Sequence, residues 1–199
     1  MARTRAEDFE DKQRHILVRA AAVFAEQGME KASMSGIASA SGVSKSLLYH
    51  YYPNKDALIF EIIRSHLEDL DKDIADADKA DAAPEDRLNR LVRAVLENYR
   101  GADNQHKVQL NAGPLLSEAQ RREILDLERR IVRRFSAVLK DINPGLDTPE
   151  RQLLMPATMS LFGMMNWVYM WFRDGGPLTR QDYADLATTL ILEGVKAVR

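Results

Sequence analysis

The chain has 199 residues, of which 45% are hydrophobic and 29% charged, with a formal net charge of −2. That apolar fraction supports a packed core and excludes a disordered chain, while the near-neutral balance excludes a globally basic nucleic-acid binder. There is no cysteine, so disulfide frameworks and thiolate chemistry are excluded and a reducing cytoplasmic setting is expected.

The opening residues have no apolar run, so no signal peptide is expected. The first helix is predicted over about 7–27, with Ile16, Leu17, Ala20, Ala21, Val23 and Phe24 as its buried stripe and Gly28 as its stop. Arg3 and Arg5 precede it, either as a mobile arm reaching backbone phosphates or as a tail without a role.

Two short helices joined by a tight turn are predicted over 33–52. Ser33 is placed to cap the first, whose inner face is Met34, Ile37, Ala38 and Ser41. Gly42 supplies the permissive backbone of the turn and Val43 the apolar plug between the helices. Ser44 caps the second helix, which turns Leu48 and Tyr52 inward at i, i+4 spacing. Its outer face keeps Lys45, Ser46, Leu47, Tyr49, His50 and Tyr51, a small, polar and aromatic set suited to contact. Lys45 and Lys55 each stand first in a helix, where a cation is disfavoured by roughly 0.3–1 kcal/mol. A phosphate at the same place, facing free N–H groups, reverses that sign. The pattern reads as a helix-turn-helix whose second helix enters the major groove.

The run Ile37-Ala38, Ser41-Gly42-Val43-Ser44, Leu48-Tyr49, Tyr52, Lys55 and Leu58 resembles the DNA-binding segment of TetR-type transcriptional regulators, whose pattern is IA–x–x–AGVS–x–x–x–LY–x–x–F–x–x–K–x–x–L. Ser41 stands where that pattern has alanine, Tyr52 where it has phenylalanine, and Leu47 where a small hydroxyl residue is common. A leucine there suits a thymine methyl. The resemblance implies that Tyr49 contacts the DNA backbone and Lys55 a phosphate. Loss of Lys55 is then expected to weaken binding to all DNA, and changes at Lys45 or Ser46 to alter sequence preference. It further implies a homodimer on a palindromic double-stranded operator, with half-sites about 34–36 Å apart, and a ligand pocket whose occupation shifts the population of DNA-binding conformers.

Pro53 stops the recognition helix and Asn54 opens a long fourth helix, striped by Leu58, Ile59, Ile62, Ile63, Leu67, Leu70 and Ile74 as far as about 77. The functional division is set at 1–56 for the DNA-binding domain and 57–199 for a helical ligand-binding and dimerisation domain. Pro84 suits the first turn of the fifth helix, with Leu88, Leu91, Val92, Val95, Leu96 and Tyr99 inward and Gly101 ending it. A short helix follows over 105–111, and Ser117 with Gln120 forms a capping-box pattern before the seventh. Asn143-Pro144-Gly145 reads as a loop, Thr148-Pro149 as the start of the eighth helix, and Thr179 as the cap of the ninth. No segment alternates as a strand would, so the fold class is all-α with about nine helices.

The charge-free tract 153–172 is long enough to cross a bilayer, but Pro156, Thr158, Ser160, Gly163 and Asn166 within it favour a helix buried on several sides. No membrane partner is expected, and Pro156 is predicted to kink the helix. Within the resemblance, one side of this helix lines the body's core and another meets a second subunit. Ala157, Ser160, Leu161, Gly163 and Met164, with Tyr183, Leu186, Leu190 and Ile191 of the last helix, are the interface candidates.

The four histidines, His15, His50, His66 and His106, never fall at metal-pair spacing, and no nucleophile-elbow, P-loop or zinc-protease pattern occurs. Neither an enzyme nor a metal or cofactor site is expected. A helical interaction module that keeps the head fold without reading DNA is the competing class, and its mark would be no retarded DNA band at any salt.

Asn166-Trp167, Trp171-Phe172-Arg173 and Gly176 resemble the signature N–W–x–x–x–W–[YF]–[RK]–x–x–G of TetR-type regulators that answer to acyl-CoA thioesters. Tyr99, His106, Leu110, Met159, Phe162, Met165, Asn166, Trp167, Tyr169, Met170 and Arg173 are the candidate pocket residues. Methionines are adaptable wall material for an acyl chain, and Arg121, Arg122 or Arg173 could meet phosphates. Ordinary core and dimer packing is the alternative for these apolar residues. A lipophilic or cationic drug, as for efflux-pump regulators, is the alternative ligand, although the tract holds no acid to receive a cation.

Overall fold

The computed structural model describes residues 2–198, with side chains at residue 9 and over 11–198. Helix α1 (Ala2–Gln27) starts earlier than its apolar stripe requires and takes in the segment carrying Arg3 and Arg5 as helix rather than as an arm. The side chains of those two arginines lie outside the described residues. The stripe itself is buried from Ile16 to Phe24, as its periodicity predicts. Gly28 then adopts φ +84°, which a residue with a Cβ rarely does, and ends the helix.

The chain continues through α2 (Met34–Ala40), α3 (Lys45–Tyr51), α4 (Lys55–Ala77), α5 (Pro84–Asn98), α6 (Asp103–Asn111) and α7 (Glu118–Ile142). A minimal hairpin follows, β1 (Asp147–Thr148) and β2 (Arg151–Gln152), then α8 (Leu154–Asn166), the single turn α9 (Val168–Trp171) and α10 (Arg180–Ala197). The fold class is all-α.

Local chemistry accounts for most boundaries. Asn54 caps α4 by accepting the N–H of Ala57 at 2.8 Å. Ser117 and Gln120 exchange bonds at 3.0 and 3.3 Å to open α7, and Thr179 with Asp182 forms a capping box for α10.

The eighth helix is the exception. Thr148 and Pro149 do not start it; Thr148 pairs with Arg151 across an antiparallel hairpin and Pro149 occupies the turn, a place that suits its fixed φ equally well. With α8 beginning at Leu154, Pro156 falls in its first turn, where its missing N–H has no partner to lose, and the expected kink has no cause.

Two compact units emerge, divided differently from a cut at residue 56. One holds α1 to α3, α4 as far as Leu67, and Gly101–Leu125 with α6 packed along α1. The other holds Glu68–Arg100 and the chain from Asp126 onward, with α10 packed on α5 and α8. Among the described residues no helix is long and apolar enough to cross a membrane.

Candidate nucleic-acid interface and helical body

In the first unit, α2 and α3 are set by their caps. Ser33 Oγ accepts the N–H of Gly36 and Ser44 Oγ that of Leu47, both at 3.1 Å. Gly42 turns the chain with φ +65°, and the N–H of Val43 donates to the carbonyl of Ala38 at 3.0 Å. Ile37, Ala38 and Leu48 are buried beneath the turn, so the pair crosses on an apolar contact. From α1, Arg19 donates its Nε to the carbonyl of Ala40 at 3.1 Å, satisfying the open end of α2. This contact joins residues 21 apart in the chain and carries no local sequence signal.

The outer face of α3 is built as its composition suggests. Lys45, Ser46, Tyr49 and His50 are exposed, Tyr49 with 42% of its surface open. Ser44 and Ser46 share a hydroxyl hydrogen bond of 3.1 Å, and Lys45 Nζ lies 5.9 Å from the Tyr49 ring centroid. Leu47 and Tyr51 are half-buried. Tyr51 packs with Phe9 at 5.0 Å between ring centroids, which makes it as much a packing residue as a contact one. Lys55, the first residue of α4, is half-buried. Its ammonium donates to the carbonyls of Glu30 at 2.9 Å and Ala32 at 3.3 Å.

Also in this unit, His66 of α4 and His106 of α6 meet edge to face at 6.1 Å between centroids, both buried. Burial, reinforced by His106, pulls the His66 imidazole down to about 4, so it is neutral at ordinary pH. Leu110, a second pocket candidate on α6, points outward with 48% of its surface exposed.

In the second unit, Tyr99, Phe162 and Met165 are buried and Asn166 is half-buried. Tyr99 donates its hydroxyl to Asn166 Oδ1 at 3.1 Å, and burial, then the Glu128 carboxylate, raises the phenol well above its usual range. Phe162 stands edge to face on Phe135 at 5.0 Å. Tyr169 is half-buried and stacks on Trp167 at 6.3 Å, and Arg173 is exposed. Met159, Trp167 and Met170 are half exposed or more, at 50%, 59% and 62%. These three side chains lie on the outer surface of the unit.

The interface candidates also divide. Ser160, Gly163, Leu186 and Leu190 are exposed, whereas Leu161 and Ile191 are buried in the unit's own core. Leu161 and Ile191 thus sit on the inward faces of α8 and α10. Ala157, Met164 and Tyr183 are half-buried, with the Tyr183 hydroxyl donating to the carbonyl of Met164 at 3.1 Å. Met155, Met159 and Gly163 of α8 and Trp167 at its C-cap form an exposed stripe at four-residue spacing, matched by Leu186 and Leu190 on α10.

Sequence reasoning missed Arg180. Only 5% exposed, its guanidinium donates to the carbonyl of Leu96 at 3.1 Å and to Asp174 at 3.0 and 2.9 Å, and lies 5.1 Å from the Phe172 ring. One arginine thereby ties the end of α5 to the loop after α9.

A capped, glycine-turned helix pair whose second helix shows a polar and aromatic face defines a helix-turn-helix DNA-binding protein. Residues 16–62 match the family described as "Bacterial regulatory proteins, tetR family" and residues 81–195 the "Tetracyclin repressor-like, C-terminal domain"; the chain belongs to the TetR family of transcriptional regulators. The HTH-type transcriptional repressor KstR2 of Mycobacterium tuberculosis is 28% identical over 187 residues, covering 90% of each chain. A TetR-family regulator from Bordetella parapertussis superposes with a TM-score of 0.83 at 30% identity, over 94% of this chain and 97% of that one. The crystal structure of AibR in complex with isovaleryl coenzyme A and operator DNA is similar with a TM-score of 0.76 at 26% identity, over 90% and 97%.

Proposed function

We propose that the chain is a cytoplasmic transcriptional repressor that binds a palindromic operator as a homodimer and is released by an acyl-CoA thioester. The observation that carries this reading is the outer face of α3. Lys45, Ser46, Tyr49 and His50 stand clear of the core on a short helix fixed at its start by Ser44. In the proposed complex Lys45, Ser46 and Leu47 read base edges, while Ser33, Ser44, Tyr49 and His50 meet the backbone, with Tyr51 shared between contact and packing.

Support for the dimer comes from the paired stripes of α8 and α10. Two rows of exposed apolar side chains on packed helices are unusual for a surface left in water. Support for the effector comes from the likeness to AibR, whose complex holds isovaleryl coenzyme A, and from the Asn166 to Gly176 signature. Tyr99 and Asn166, with Phe162 and Met165, are the proposed acyl-end contacts. Arg173, in the same unit, is exposed and offered to the phosphates; Arg121 is engaged with the carbonyls of Gly113 and Leu116.

A retardation assay with duplexes selected from a random pool, with and without acyl-CoAs, tests both parts. Retention at low salt that falls steeply as salt rises, and release by acyl-CoA but not by the free acid, is the expected result. Failure to retain any duplex overturns the regulator reading. Thermal stabilisation by cationic dyes alone overturns the effector class and favours an efflux-pump regulator.

A further inference from the structure

Away from its buried stripe, α5 carries Arg90, Arg93, Ala94 and Glu97 at helical spacing, and Arg100 follows just past its end. They form one wall of a groove of about 610 Å³. Ala77 and Lys79 at the end of α4 and Gln181 in the first turn of α10 complete it. Every one of these residues belongs to the second compact unit. Four cations and one carboxylate line the groove, in a chain whose net charge is −2.

The cations differ in what already holds them. Arg93 is locked on Asp185 of α10 through Nε at 3.1 Å and Nη2 at 2.7 and 2.8 Å, and Asn89 donates to the same carboxylate at 2.8 Å. The guanidinium plane is thereby fixed, while its Nη1 takes no part in that fork. Arg100 pairs with Glu97 at 3.0 Å. Lys79 and Arg90 are exposed and meet no carboxylate among the described residues. Arg90 and Arg93 also stand at i, i+3, where like charges on a helix repel. The 18-residue α10 begins beside Gln181 and adds the positive end of its dipole. Two uncompensated cations and one fixed guanidinium edge thus present donors to negative charge from outside the chain.

We propose that this groove binds the diphosphate group of a nucleotide, with Lys79, Arg90 and Nη1 of Arg93 on the phosphates and the nucleoside over Ala77 and Ala94. Sites for small organic ligands run to about 300–1,000 Å³, so a lone orthophosphate would leave most of the groove unfilled. The two alanine methyl groups offer an apolar floor to a planar base, and an arginine plane can stack on one. The group can arrive as a free nucleotide or as the nucleotide end of coenzyme A. Its binding is separate from the acyl-end contacts proposed at Tyr99 and Asn166, and it needs no DNA.

The full-length chain, labelled at its alanine methyl groups, is titrated at low salt with ADP, AMP, adenosine, pyrophosphate and coenzyme A. ADP is expected to move the Ala77 and Ala94 methyl signals to saturation, with AMP weaker by about tenfold and adenosine inert. Lys79→Gln with Arg90→Gln is expected to weaken ADP by about tenfold or more, and Arg133→Gln, exposed on α7 outside the groove, by less than about twofold. Coenzyme A binding no tighter than ADP identifies the free nucleotide as the source. Coenzyme A binding about tenfold tighter, with the advantage lost on removal of its 3′-phosphate, identifies the coenzyme; either result upholds the groove. Methyl signals that neither ADP nor coenzyme A moves overturn the proposal without recourse to any variant. So do adenosine or pyrophosphate binding as tightly as ADP, and an ADP affinity unaltered in the double variant. Failure to retain duplex DNA leaves this result standing, and failure to bind ADP leaves the regulator reading standing.

Discussion

Ser41 and Tyr52 each bury a hydroxyl oxygen that finds no partner among the described residues. They are two of the places where the head departs from the TetR pattern, alanine and phenylalanine standing there in the family's usual run. Burial first, with Glu61 and Tyr51 assisting, lifts the Tyr52 phenol to about 12, so it stays neutral and its oxygen is simply dry. Removing an unsatisfied buried hydroxyl without changing shape is neutral or stabilising. Ser41→Ala and Tyr52→Phe are therefore expected to raise the urea-unfolding free energy by up to about 1 kcal/mol each, and a clear loss from either would reveal a partner for its hydroxyl. His66 makes the opposite kind of statement. Its folded pKa of about 4 lies below the ordinary 6.5, so the unfolded chain takes up the proton first as pH falls. Its contribution is fully present above about pH 6.5 and is lost as pH drops toward 4, about 3 kcal/mol in all at 1.36 kcal/mol per pKa unit. Unfolding of the wild type and of His66→Gln between pH 7 and 4 checks this, the variant's profile being the flatter in that window.

Helix by helix, what the sequence disclosed was what neighbouring residues decide. Ser33, Ser44, Asn54, the Ser117–Gln120 pair and Thr179 all act within three residues of themselves, and each marks a boundary in the structure. What stayed hidden were bonds between distant positions and choices between equally local alternatives. Pro149 suits a helix start and a turn alike, and the pairing of Asp147 with Gln152 decides for the turn. In the tract 153–172 no face carries a charge, so nothing in the spelling separated buried Leu161 from exposed Met159. Arg180 reaches a carbonyl 84 residues away. Arg180→Ala leaves the Leu96 carbonyl without its donor and opens a gap beside Phe172, and is expected to destabilise the chain by about 2 kcal/mol. Asp174→Ala should unsettle the same place less, because that carboxylate is 53% exposed and screened by water. Chemical denaturation of the two variants measures the difference, and equal losses would place the guanidinium's worth in the ion pair. The end of α4 offers a parallel case. Arg87 binds Asp78 at 2.9 Å and Asp141 at 3.2 Å, and its bond holds the Asp78 carboxyl below the usual carboxylate range against the opposing effect of burial. Stability from Asp78 is thus present above about pH 4 and fades as acid protonates it.

For the molecule as a whole, the exposed stripes of α8 and α10 bear on assembly. Leu190, with 57% of its surface open, and Met159, with 50%, are the side chains to convert. Leu190→Glu with Met159→Glu is expected to halve the mass seen by sedimentation equilibrium and to leave the helical circular dichroism intact. It should also weaken duplex retention by more than about tenfold, since two linked heads gain from effective concentration what one head cannot. An unchanged mass would move the contact between copies to another surface.

The grouping of α6 with α1 has a practical consequence for protein engineering. Chimeric regulators are commonly conceived by exchanging an amino-terminal reader for another, cut where the sequence pattern ends. In this chain such a cut would strip α1 of a partner that arrives only after residue 100, leaving a raw apolar flank on the donor fragment and a helix without its mate on the recipient. A transplant that travels with Gly101–Leu125, grafted as a second insert, keeps that seam closed.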